Sequence, residues 1–295
     1  MLRARLLVII QKKRVGMILL RRKLYKNRTS SPYLSGDAFA LIAEYAPYGA
    51  NGGDVPRLDK IVSARSIFVP SHFLENLVND FGEVISARVL ITGNSDVNFL
   101  GYPKLPKSTR LWLGQNLALD SHKEVEVRTI PIGLENLALG RAGLPKFIRS
   151  NKHLVEDRVL VPPMAPSNPI RQSFVEEIQK DLGVFDLFVD YIDERAYFNL
   201  TSRYRFVLCL EGNGYENHRI WETLYRDAFP VMLKSPWSLS LKTLNLPILY
   251  IEKPSDCTSE RLLEFLRDNK DFRAESHEML WVNYWKALVR KNEGT

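Results

Sequence analysis

Residues 205–233 read RFVLCLEGNGYENHRIWETLYRDAFPVML, and they place His218, Arg219 and Glu222 close behind two glycines, Gly212 and Gly214. At helical spacing the three polar residues lie on or near one face, leaving Ile220, Leu224 and Tyr225 for packing. A guanidinium beside unpaired helix amides suits a diphosphate, because both oppose its charge. His218 can donate one more hydrogen bond, and Glu222 has the acceptor oxygens to hold ribose hydroxyls. Arg171, just after the Asn168-Pro169 turn, is a second cation for the same charge, and Glu211 and Asn213 flank the glycines. Plainer readings stand beside these: a surface salt bridge of Arg219 with Glu216 or Glu222, and a solvated first-turn cation at Arg171. Trp221 reads as packing.

The elements that must position these groups are legible in the pattern. The apolar run 206–210 suits a strand covered on both faces, and the glycines let the chain turn sharply beside a ligand. From about residue 216 the pattern becomes helical. Upstream, a short helix over 37–45 follows the Ser35-Gly36 turn, and 47–56 is a Gly/Pro/Asn-rich loop. Strands are expected at 66–69, 88–92, 111–113 and 128–132, with a helix over 72–81. Residues 140–157 are mixed and poorly periodic, which places a domain boundary there. Beyond it, strands at 159–161, 187–189 and 247–251 alternate with helices at 170–182 and 194–202, and helices at 259–268 and 276–289 follow. Alternating β and α units argue for parallel sheets with ligands beyond their carboxyl ends.

The same residues carry a family resemblance. His218, Arg219, Trp221 and Glu222 after the glycine turn, followed by Phe229, Pro230 and Val231, resemble the nucleotide-binding half of the exostosin-like glycosyltransferases. SPYLSGDAF (31–39), ITGNSD (91–96), LWLGQN (111–116) and IPIGLEN (130–136) extend the resemblance over roughly residues 31–252. It implies an α/β protein with two Rossmann-like β/α/β domains facing across a cleft, the GT-B architecture. An acceptor-side domain would span 31–150 and a nucleotide-sugar domain 151–275, with a C-terminal helix in 276–295 packing back on the first. The chain departs from the family at Asp227-Ala228, where relatives commonly begin a small pair with Gly, and this bears on how tightly the helix ends.

Composition narrows the alternatives. A net charge of +7 invites nucleic acid, yet residues 1–28 hold ten Lys or Arg and no acid, and the remaining 31 basic residues against 34 acidic ones give −3. The basicity belongs to an arm, and no nucleic-acid partner is expected. That arm, residues 1–30 with its boundary, alternates short apolar groups with basic clusters, too short to span a membrane but suited to an anionic lipid surface. Its bland alternative is a first strand and helix with solvated charges. Two cysteines, Cys209 and Cys257, form no disulfide or zinc framework, and no clear signal peptide is present. The expected location is cytoplasmic, peripheral at the inner face of the membrane.

Sugar transfer from a nucleotide needs stabilisation of the leaving diphosphate and, if configuration inverts, a base near the acceptor hydroxyl. Candidates for the base are Asp96, His72 and Asp37, each at a strand end or turn; each also has a local role available, as turn, helix-start or N-cap residue. Asn94, Gln115 and Asn116 are polar ends on apolar runs, suited to reading sugar hydroxyls or to closing their own turns. No G-x-G-x-x-G, P-loop or D-x-D motif occurs, so a metal-independent transferase without cofactor is favoured over dinucleotide, P-loop or metal-dependent chemistry. The expected donor is a nucleotide-sugar and the acceptor a glycan or lipid-linked saccharide. The alternative is a non-catalytic glycan- or nucleotide-binding adapter on a degenerate transferase fold.

Overall fold

The computed structural model describes residues 29–119, 121, 124–137, 139, 145–148, 155–190 and 192–294. The basic arm lies outside them. The Ser35 hydroxyl accepts from Ala38 N–H and opens helix α1 (Gly36–Ile42). Helix α2 (Leu58–Ser63), which the sequence pattern did not single out, leads into β1 (Ser66–Pro70), a 3₁₀ turn (Ser71–Phe73) and α3 (Leu74–Phe81). Strands β2 (Val89–Gly93), β3 (Leu111–Gly114) and β4 (Glu126–Thr129) complete a four-stranded sheet, ordered β1-β2-β3-β4 and parallel throughout. Every residue of β1, β2 and β3 is buried, as expected for strands covered on both faces. The strand expected at 128–132 ends at Thr129, two residues before Pro131 removes a ladder donor and four before Gly133 turns left-handed.

The second half begins with α4 (Pro145–Ile148) inside the poorly periodic stretch in which the domain boundary was expected. It continues through β5 (Glu156–Val161), α5 (Pro169–Ile178), β6 (Phe185–Leu187), α6 (Glu194–Thr201) and β7 (Tyr204–Leu208). Then come α7 (His218–Leu224), β8 (Phe229–Leu233), α8 (Pro236–Ser240), β9 (Leu249–Ile251), α9 (Ser259–Asp268) and α10 (Val282–Asn292). Its five strands are all parallel in the order β6-β5-β7-β8-β9. Helix α5 stops short of the expected residue 182, and left-handed Gly183, whose N–H is held by Asp181, turns the chain early into β6. Helix α8 was not anticipated; Ser235 and Ser238 form a reciprocal cap around Pro236 at its start.

The molecule is thus a mixed α/β protein with two parallel sheets. One apolar cluster fills the first lobe around Ile67, Leu77 and Trp112, and another the second around Val161, Phe206 and Val231. A third runs through both, joining Phe68, Ile91 and Leu113 to Leu160, Val207 and Trp221. Helix α10 packs on α1, and the Ser66 hydroxyl donates to Glu293 at 2.6 Å. The Tyr225 hydroxyl accepts from Leu34 N–H at 2.9 Å and donates to the Leu280 carbonyl at 2.6 Å, so one buried side chain ties three segments. Among the described residues no helix is long and apolar enough to cross a membrane.

Candidate functional site

Strand order in the second lobe reverses between β5 and β7, the position where open parallel sheets leave a crevice beyond their carboxyl ends. The chain leaving β5 carries Pro163 and Asn168; the chain leaving β7 carries Glu211 to Gly214. Asn168 caps α5 through its side-chain oxygen and donates its amide to the Gly212 carbonyl at 3.2 Å, so the two turns meet. Arg171, one turn into α5, donates to the carbonyls of Glu211 (2.7 Å), Ala165 (2.9 Å) and Leu210 (3.3 Å) and to the Ser167 hydroxyl (3.1 Å). Burial, with Arg219 nearby as a lesser cause, lowers its pKa to about 10.

The glycines act by close approach. The chain bends at 213–215 as expected, but neither Gly212 nor Gly214 is left-handed. Gly212 N–H bonds the Gly214 carbonyl at 3.0 Å, and a Cβ on Gly214 would stand 3.1 Å from Asn116 Nδ2 and 3.3 Å from the Asp96 backbone. At Gly214 the constraint comes from the first lobe, and at Gly212 from Arg171 Nη2, 3.0 Å from where a Cβ would stand.

Arg219 enters the same crevice from α7. Its Nε donates to the Tyr197 hydroxyl at 3.2 Å and its Nη2 to the Pro163 carbonyl at 3.3 Å. Burial disfavours its charge, but Tyr197, Cys209 and Glu222 around it reverse the balance and its pKa is raised. Among the described residues neither Arg171 nor Arg219 forms an ion pair, so neither salt bridge considered for Arg219 is made. The Tyr197 hydroxyl also donates to Glu222 Oε2 at 3.0 Å. Glu222 is only 5% exposed, and burial raises its pKa against the opposing influence of His218, Arg219 and Arg226. The space bounded by Tyr197, Glu222 and Arg226 has no room for a water. In this arrangement Glu222 holds Tyr197, which holds Arg219.

Residues 213–218 also join the lobes. Asn213 Nδ2 donates to Asp96 Oδ2 at 3.3 Å, Tyr215 N–H to Asn98 Oδ1 at 2.9 Å, and Glu216 N–H to Asn116 Oδ1 at 2.8 Å. The Glu216 carboxyl accepts from Ile132 N–H and Trp221 Nε1, each at 2.6 Å. Burial raises its pKa to about 8, and its other oxygen has no partner among the described residues. His218 Nδ1 donates to the Gly133 carbonyl at 2.9 Å, which fixes the proton on that nitrogen.

Of the base candidates, Asp96 alone is bonded to the glycine turn. Asp37 is buried, bonded to the Ser35 hydroxyl and accepting from Leu137 N–H at 3.1 Å; burial raises its pKa despite those bonds. His72 is exposed, its ring packed on Phe73 at 4.4 Å. Two of the amide candidates are engaged within the first lobe, and the third, Asn116, within it and with Glu216 across the lobes. Asn94 bonds the Ala50 carbonyl (2.6 Å) and Asn136 (3.1 Å), and its N–H is taken by Gln115 (2.8 Å). Gln115 also reaches the Pro131 carbonyl at 3.4 Å, and Asn116 the Ser95 carbonyl at 3.1 Å. Left-handed φ at Asn94 (50°) and Asn116 (54°) marks both as turn residues.

Three residues at the site escaped the sequence reading. Tyr197 carries no local signal, since an aromatic on an amphipathic helix ordinarily packs. Asn98 lies in a loop without periodicity. Glu216 was visible only as a salt-bridge partner for Arg219, although an acid directly after a glycine turn and before an apolar helix face is a candidate for burial. No protein-family model and no curated protein matches the chain.

Proposed function

We propose that the chain is a nucleotide-sugar-dependent glycosyltransferase of GT-B type that passes a sugar to a glycan or lipid-linked acceptor with inversion and without a metal ion. The observation that carries this reading is the pair of guanidiniums, Arg171 and Arg219, held without ion pairs at the β5/β7 switch point. Partly buried cations bonded to carbonyls and a phenol keep most of their charge uncompensated, and a diphosphate is an anion suited to two such charges. The facing of the two lobes supports it further: the turns beyond β2, β3 and β4 meet the turn beyond β7 through Asp96, Asn116 and Ile132.

In this reading Arg171 and Arg219 oppose the leaving diphosphate while Glu211, Gly212, Asn213 and Gly214 shape the wall beside it. Asp96, bonded to Asn213, is the base that takes the acceptor hydroxyl's proton as the oxygen attacks the anomeric carbon. Glu222 acts through Tyr197 as a positioning residue. Thermal stability followed during titration with UDP, GDP and CMP tests the proposal. At least one nucleotide should stabilise the protein, by about 2.7 kcal/mol at a hundred times its Kd, and Arg219→Ala should abolish the effect; indifference to all three overturns it.

A non-catalytic adapter is favoured by one observation, the burial of Glu222, 5% exposed and bonded by the Tyr197 hydroxyl in place of a ribose. Slow release of nucleotide from a sugar donor by the purified protein separates the two, since an adapter binds without releasing it.

A further inference from the structure

We propose that the cavity between the lobes beside β4 binds a short saccharide and is the acceptor site. The acceptor role rests on the transferase reading above; saccharide binding itself does not. The cavity has a volume of about 580 Å³, within the range of roughly 300 to 1,000 Å³ that takes small ligands. The first lobe contributes β4 and Ser121, and the second contributes Ser240, Thr243, Tyr284 and Trp285.

The chemistry of this lining suits a hydroxyl-rich ligand. Arg128 Nε and Glu126 Oε1 pair side by side at 2.5 Å, with their side chains 40% and 43% exposed. A paired guanidinium and carboxylate offer donors and acceptors together, as vicinal hydroxyls require. Tyr284 is half-buried on α10 and lines the cavity, a side chain of the kind that packs on the apolar side of a pyranose ring. Strand β4 is the edge of its sheet.

Position connects this cavity to the donor turn. Helix α8 lines the cavity with Leu239 and Ser240, while Trp237 on the same helix stacks on Tyr215 at 6.0 Å and 18°. Ser235, its N-cap, donates to Glu211 at 3.1 Å. The single short helix Pro236–Ser240, about one and a half turns, therefore separates the cavity from the residues around the proposed leaving group. Asn94, Gln115 and Asn116 meanwhile have their amides engaged within the protein, so a saccharide finds its partners at the cavity.

The test uses the full chain on an array of immobilised neutral and uronate-bearing tri- to hexasaccharides, with the thermal shift produced by UDP, GDP and CMP measured in parallel. Wild type is expected to retain at least one saccharide class. Arg128→Ala should cut retention at least ten-fold, and Thr243→Trp, which adds bulk at an exposed rim position, should do the same. Both variants should keep the wild-type response to nucleotides. Retention of no saccharide by wild type, or undiminished retention by both variants, overturns the site. A nucleotide response with no effect of the variants leaves the transferase reading standing without this site; variant-sensitive retention with no nucleotide response leaves the site without the transferase.

Discussion

Glu216 and Ile132 meet across the two lobes: the carboxyl of one, 4% exposed, accepts the backbone N–H of the other at 2.6 Å. The same oxygen accepts from the indole N–H of Trp221, and its twin has no partner among the described residues. A carboxyl in this position is held neutral by burial, with a pKa of about 8.

Stability should therefore fall as pH rises. Unfolded, Glu216 titrates near 4.3; folded, it does so near 8. Between those values the folded chain holds a proton that the unfolded chain has lost, so unfolding free energy declines by at most roughly 1.4 kcal/mol per pH unit. Below the lower value the contribution is fully present, and it is gone above the upper one. Urea midpoints at pH 5, 6.5 and 8 measure this, and Glu216→Gln should flatten the trend. An equally steep trend in the variant would assign the dependence to another group.

Tyr197 bridges Glu222 and Arg219 with a single hydroxyl. Tyr197→Phe should leave a buried carboxyl short of a donor, at a cost of about 1 to 3 kcal/mol. It should also weaken nucleotide binding by freeing Arg219. Glu222→Ala is expected to cost more, because it opens a cavity next to Arg226 as well. Equilibrium unfolding and nucleotide titration on the same samples separate the two effects; loss of binding at unchanged stability would return Glu222 to direct contact with the ligand.

Arg171 spans three carbonyls and a hydroxyl with one planar fork. Lysine keeps a charge but has no such fork. Arg171→Lys should therefore loosen the glycine turn, seen as faster amide exchange at Gly212 and a nucleotide affinity down by about ten-fold, the size of one lost charge-assisted bond. Unchanged exchange at Gly212 would contradict the clamp.

Asp227 adopts a left-handed conformation (φ 59°) where a helix end favours glycine, and its carboxylate accepts from Ala274 N–H at 2.8 Å. Glycine relieves the backbone but loses the bond, whereas alanine loses the bond and keeps the strain. Asp227→Gly should be near neutral, and Asp227→Ala should destabilise by about 1 to 2 kcal/mol. Thermal unfolding of the pair decides it; equal effects would mean that the backbone angle contributes nothing.

Strands and helices with strong local signals were legible in the sequence. The buried runs at β1, β2 and β7 and the capped helices α1, α5 and α9 fall within a few residues of their expected places, because apolar runs and cap residues are local facts. Helices α2 and α8 were missed: each is short and amphipathic only in context, and α8 depends on a serine pair rather than an acidic cap. At the site, the two arginines could be named from charge and turn position alone. The roles of Glu216, Asn98 and Tyr197 could not, since each depends on a partner 25 to 117 positions away.

Helix α10 covers α1, and Glu293 receives the Ser66 hydroxyl at the start of the first sheet. During synthesis, residues 282–293 follow the whole sequence of the second lobe. The first lobe must therefore wait on the ribosome with one face of α1 bare until the second has been translated. Lobe one is written first and finished last, which favours folding of both sheets in a single concerted stage over the usual succession of domains.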